Sequence, residues 1–146
     1  MILISHRGNI FGKDPARENS LDYINKALLL GYEVEIDVWH QNGEWYLGHD
    51  EPQYLVEEEF LKNNKVWCHA KNILALKKLL KLNAHCFWHQ EDDFTITSKG
   101  YIWAYPSNEE VENTICVLPE INDCVPKNCL GICSDYIGKY KIENEV

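Results

Sequence analysis

The sequence predicts an α/β fold, a reduced TIM-like (β/α) barrel, from three observations. Short apolar runs rich in Val, Ile and aromatic residues recur along the chain and suit buried strands. In the first half they alternate with two amphipathic stretches, the pattern of a parallel sheet. The chain has 146 residues, whereas a full eight-fold barrel takes about 250, so part of the outer ring must be missing.

The elements follow in order. Ile2–His6 reads as the first strand. Residues 20–30 form a helix with Leu21, Ile24 and Leu28 on one face, Asn19 or Ser20 as N-cap, and Gly31 as the stop. A second strand, residues 33–39, runs into Asn42-Gly43, a two-residue hairpin signal, so a β-hairpin is inserted after strand 2. A helical turn over 57–61 precedes the strand at 66–69. The helix at 73–82 carries Ile73, Leu76 and Leu80 inward and Lys77, Lys78 and Lys81 outward, with Asn83 as a left-handed terminator. Four more strands are expected at 84–89, 101–105, 115–118 and 130–134. The connections over 90–100, 106–114 and 119–129 contain turn formers and charges without an amphipathic run, so the C-terminal half has few helices. One domain spans 1–146, and the thinned outer ring suggests a homo-oligomer.

Composition narrows the function. Fourteen basic against 23 acidic residues give a net charge of −9, which repels nucleic acid and anionic membranes; a phosphate-bearing ligand therefore needs a local cationic site. No run of 18 apolar residues exists to span a membrane. The N-terminus has no basic region, long apolar core or A-x-A site, so a cytoplasmic protein is expected. Four of six cysteines (Cys68, Cys86, Cys116 and Cys133) lie in apolar strand-like segments, while Cys124 and Cys129 lack a C-x-x-C motif. Reduced thiols follow.

Parallel α/β folds bind ligands at the carboxyl ends of their strands. There lie His6-Arg7, Glu35, Asp37, His69, Lys71, His89, Trp103, Glu120 and Ser134-Asp135. Glu35 and Asp37, two apart in a strand, point to one face; His69 and Lys71 repeat the spacing on the next. Two carboxylates with an imidazole make a site for Mg²⁺, Ca²⁺ or Mn²⁺, and Arg7 and Lys71 beside it suit phosphate oxygens. Hairpin pairing brings His49 opposite Ile36, near both acids; strict alternation would turn it away unless a bulge at Gly48 or an early end to the ladder intervenes. Trp103 is a candidate substrate contact that also suits a barrel interior. Glu120 reads equally as a ligand or a solvated loop acid, and His40 and His85 as surface or hairpin residues.

His6-Arg7-Gly8, Glu18-Asn19-Ser20, Glu35-x-Asp37 and Gly48-His49-Asp50, in this order, with Gly131-Ile132-Cys133-Ser134-Asp135-Tyr136 near the end, resemble the glycerophosphodiester phosphodiesterase family. The resemblance implies metal-dependent hydrolysis of a small phosphodiester. It assigns Glu35 and Asp37 to the metal, His6 and His49 to general base and acid, Arg7 and Lys71 to the phosphate, and Glu18 and Asn19 to the pocket beside the metal. The family's usual Glu-x-Lys is here His69-Ala70-Lys71; His69 as third ligand shifts the site towards Mn²⁺ or Zn²⁺. Two alternatives are a non-catalytic phosphate-ligand binding module and a phospholipase D-like lipid phosphodiesterase.

Overall fold

The computed structural model describes residues 1–105, 113–123 and 127–144. In chain order it comprises β1 (Ile2–His6), α1 (Leu21–Leu29), β2 (Glu33–Gln41), β3 (Glu44–Leu47), β4 (Tyr54–Val56), α2 (Glu58–Leu61), β5 (Val66–Ala70), α3 (Ile73–Lys81), β6 (Cys86–Phe87), β7 (Phe94–Ile96), β8 (Ile102–Ala104), β9 (Thr114–Val117), a 3₁₀ turn (Pro119–Asn122), β10 (Gly131–Ser134) and α4 (Ile137–Asn144). All ten strands join one sheet. Its parallel part runs β6-β5-β2-β1-β10-β9-β8, with antiparallel additions from β3 and β4 on one side and β7 on the other.

This mixed α/β sheet is strongly curled. Five ladders separate β5 from β8, a span of about 24 Å in a flat sheet. Yet the Trp67 and Trp103 rings from those strands are 5.6 Å apart, and Phe87 on β6 lies 4.8 Å from Trp103. The concave side is filled by Ile4, Trp67, Phe87, Trp103, Ile115, Val117 and Cys133. On the convex side Val34, Ile36 and Val38 of β2 and Val66, Cys68 and Ala70 of β5 pack in a core that includes Ile24 and Ala27 of α1 and Ala75 and Leu79 of α3. Strand alternation thus sends one set of side chains to the helices and the other into the curl. No helix of the described residues is long and apolar enough to cross a membrane.

Several local signals act as expected. Gly31 ends α1 at φ +94°, Asn83 follows α3 at φ +57°, and Asn42-Gly43, at φ +53° and +78°, close the β2–β3 hairpin. Ser20 occupies the N-cap of α1 without a side-chain hydrogen bond.

Other expectations need correction. The buried stripe of α3 is Ala75 and Leu79, with Leu76 packed partly buried against the same core as expected, while Ile73 is 72% and Leu80 54% exposed. β4, β7 and α4 add elements where loops or nothing had been read, β7 lying inside the expected connection 90–100. Cys116 and Cys129 form a disulfide, whereas Cys68, Cys86 and Cys133 are free buried thiols; Cys124 lies outside the described residues. Their strands place Cys116 beside the segment leading into β10, a proximity the linear spacing does not reveal. His40 is a hairpin residue, paired with Trp45 across β2 and β3, but both it and His85 are buried. His40 packs edge-on against Trp45, and His85 hydrogen-bonds Thr97 Oγ1 at 2.7 Å beneath the Trp67 ring. Most of the expected connection 106–114 lies outside the described residues.

Candidate active site

The inward alternation of β2 places Glu35 and Asp37 on the concave side. Register does the rest: His6 of β1 pairs with Glu35, and His69 of β5 pairs with Asp37. Glu35, Asp37 and His69 each offer one ligand atom, and these atoms lie within 4.8 Å of one another. All three residues are buried.

His69 is oriented by its second nitrogen. Nε2–H donates to the His89 carbonyl at 3.0 Å, which leaves Nδ1 facing Asp37 Oδ1 at 3.3 Å and Glu35 Oε1 at 3.7 Å. Glu35 Oε2 and Asp37 Oδ1 are buried and have no hydrogen-bond partner among the described residues. Burial and the neighbouring Asp37 charge push the Glu35 carboxyl pKa up. Burial acts the same way on Asp37, but His69, Arg7 and Asn19 outweigh it and hold that carboxyl well below its ordinary range. Converging acceptor atoms with orphaned carboxylate oxygens are what a divalent cation would satisfy, and a mixed N,O,O donor set fits one. The hydrogen bond from His69 to a backbone carbonyl is the usual support of a metal-bound imidazole.

The acids are braced from the β1–α1 loop. Asn19, at φ +66°, donates Nδ2–H to Asp37 Oδ2 at 2.9 Å and accepts the Asp37 backbone N–H at 3.0 Å. Arg7 places Nε 3.0 Å from Asp37 Oδ2 and donates Nη1–H to Glu18 Oε2 at 3.3 Å. Glu18 also accepts from Asn9 at 3.0 Å. Glu18 therefore anchors Arg7, while Arg7 spans from the buried acid to open space.

His6 is held from below. Its Nδ1–H donates to Asp135 Oδ1 at 2.7 Å, leaving Nε2 facing Glu35 Oε2 at 3.6 Å and the cavity. Burial lowers the His6 pKa, but the Asp135 hydrogen bond and the Glu35 charge more than reverse it, so the net shift is upward. Asp135 in turn accepts from Asn9 Nδ2 at 2.9 Å, and its backbone N–H donates to Glu120 Oε1 at 3.0 Å. Glu120 also accepts from Ser134 Oγ. The partly buried Glu120 thereby clamps the turn after β10.

His49 reaches the site because the β2–β3 ladder stops at Leu47. Gly48 N–H then donates to the Asp37 carbonyl and Trp39 Nε1–H to the Gly48 carbonyl, so the next residue is freed from strand alternation. The half-exposed His49 ring pairs with Asp50 Oδ1 at 2.8 Å. A cavity of about 310 Å³ is lined by His6, Arg7, Glu35, His49, His69 and Lys71, among others. Lys71 has no ion-pair partner among the described residues. Trp103 borders this cavity but is 1% exposed, its ring packed among Trp67 and Phe87. His89 stacks on Tyr105 at 4.0 Å and points Nε2 at the Asp92 carbonyl.

The sequence-derived set His6, Arg7, Glu35, Asp37, His49, His69 and Lys71 is thus gathered at one mouth of the curl. Asp135 and Asn9 were missed as a pair supporting His6. Asp135 was visible as a strand-end acid, but only the pairing of β10 with β1, Ser5 opposite Ser134, brings it to His6. Set against models of known families, curated proteins and solved structures, the chain matches none of them.

Proposed function

We propose that the protein is a metal-dependent phosphodiesterase acting on small, glycerophosphodiester-like substrates, and that the curled sheet is a pared-down TIM-like (β/α) barrel. The observation that carries the reading is the buried Glu35–Asp37–His69 cluster opening beside His6, with Arg7 and Lys71 on the same wall. Glu35, Asp37 and His69 would hold a divalent cation, which would supply Lewis-acid stabilisation of charge on the phosphate oxygens; the His69 imidazole would favour Mn²⁺ or Zn²⁺ over Mg²⁺ or Ca²⁺. His6 takes the nucleophile's proton at Nε2, and Asp135 steadies the imidazolium that results. His49 donates a proton to the leaving alkoxide, its Nδ1–H kept on Asp50. Arg7 and Lys71 bind the non-bridging oxygens.

A homo-oligomer belongs to the same reading, since Phe94, Ile96 and Ile102 stand exposed on β7 and β8. So does a cytoplasmic setting, and the Cys116–Cys129 bridge is the observation that tells against it, because disulfides persist in oxidising compartments.

The test is hydrolysis of bis-para-nitrophenyl phosphate by protein stripped with chelator and reloaded with Mn²⁺. Turnover should depend on the metal and vanish in Glu35→Ala and Asp37→Ala. His6→Ala and His49→Ala should each lower kcat by about 10²-fold or more. Phosphate binding without any turnover would replace this reading with a non-catalytic binding module.

A further inference from the structure

The support of His6 does not end at Asp135. Asp135 meets His6 Nδ1 at 2.7 Å from the turn after β10, where the ladder with β1 has already ended at Ser134. Its backbone there is fixed by two bonds: the carbonyl accepts the Gly12 N–H at 2.8 Å, and the N–H donates to Glu120 Oε1 at 3.0 Å. The other oxygen of Glu120 accepts Ser134 Oγ–H at 2.9 Å, and Ser134 Oγ in turn accepts the Tyr136 N–H at 2.9 Å. One carboxylate thus grips the backbone around Asp135 through both of its oxygens.

Glu120 itself sits on a strained turn. The 3₁₀ turn Pro119–Asn122 is bracketed by Leu118 at φ +49° and Asp123 at φ +47°. Left-handed backbone is sterically unfavourable for a bulky residue such as leucine, and strain of this kind collects at functional sites. The turn is anchored by the buried Pro119 and by the Leu118 N–H, which donates to the Cys133 carbonyl of β10 at 2.7 Å. It therefore presents Glu120 to residues 134 and 135 from a fixed position.

Resting on the phosphodiesterase reading above, we propose that Glu120 is a positioning residue for the general base: by gripping Ser134 and Asp135 it aims the Asp135 carboxylate at His6 Nδ1, and so His6 Nε2 at the cavity. Glu120 is not among the residues lining that cavity, so its effect on turnover travels through this chain of bonds. Loss of the grip lets Asp135 shift on its turn, and small displacements of a catalytic group lower the rate far more than they lower binding.

Two readouts test this on the Mn²⁺-loaded protein: kcat and KM for bis-para-nitrophenyl phosphate, and, on the metal-free protein, the proton NMR signal of His6 Nδ1–H, assigned by its absence from His6→Ala. Glu120→Ala should lower kcat by about tenfold, leave KM within about twofold, and broaden or abolish the His6 signal. Glu120→Gln, which keeps an acceptor for the Asp135 N–H, should recover most of the loss. In a His6→Ala background, Glu120→Ala should lower kcat no further, because both changes act on one group. An equal tenfold fall in both backgrounds overturns the role, and so do an unchanged kcat and an unchanged His6 signal in Glu120→Ala. If Glu120→Ala does not fold, Ser134→Ala removes one of the two grips and should show the same pattern with a smaller fall, about threefold; no fall overturns the role. A parent protein that turns nothing over defeats the phosphodiesterase reading alone. The NMR comparison then decides the Glu120 contact by itself, and an unchanged signal in the variant overturns it.

Discussion

His85 shows how a buried titratable group couples folding to pH without touching the Glu35–Asp37–His69 cluster. Its ring is 4% exposed, packed 4.0 Å from Trp67 and hydrogen-bonded to Thr97. Burial, with the Lys99 charge, pulls its pKa down to about 4. An unfolded histidine titrates near 6.5, so between these values the unfolded chain binds more protons than the folded one. The contribution to stability is complete above about pH 6.5 and is lost as pH falls towards 4. Urea midpoints across that window should fall less steeply in His85→Gln, which keeps a hydrogen-bonding group for Thr97; parallel curves would refute the assignment. The residue was misread from sequence because a lone histidine before a short strand carries no mark of depth. Glu35 and Asp37 were readable for the opposite reason: two acids at strand spacing in an apolar run are hard to place without partners. Asp135 was not, since its partner lies 129 positions away.

The β2–β3 hairpin delivers His49, and Gly48 is where that delivery is set. A Cβ on Gly48 would lie 2.0 Å from the Glu51 carbonyl oxygen, a contact that forces the loop to move. Gly48→Ala should therefore displace His49 while leaving β2 and the metal cluster in place. With His49 as the proposed general acid, kcat is expected to fall by about 10²-fold, with Mn²⁺ affinity by calorimetry within threefold or so of the parent. Loss of both together would mean that the hairpin holds the cluster itself. The turn was legible because Asn42-Gly43 is a local instruction. The face of α3 was not: its apolar residues lie all round the helix, so periodicity could not choose between the Ile73 and Ala75 stripes, and only contact with the sheet decides. β7 escaped notice because three residues among acids and turn formers carry too little periodicity to register.

Packing across the curl joins the two ends of the sheet. Trp103 takes part in this junction, touching rings from β5 and β6 that are remote from β8 along the ladders. Trp103→Ala should cost about 3–5 kcal/mol in urea denaturation, and a loss below 1 kcal/mol would show that the curl closes without it. The alternation of strands and helices in the first half made the architecture readable, whereas the strand order and the degree of curl depend on long-range contacts that no short window contains. The same geometry ties recognition to stability in β2. One pleated segment carries Val34, Ile36 and Val38 outward and Glu35 and Asp37 inward, with β5 along one edge and β1, then β3, along the other. Inserting or deleting a single amino acid ahead of Glu35 would swap the two sets, driving carboxylates under the helices and valines into the mouth of the curl. Point changes can tune this strand, but its length is locked: chemistry and core share one reading frame and must be inherited together.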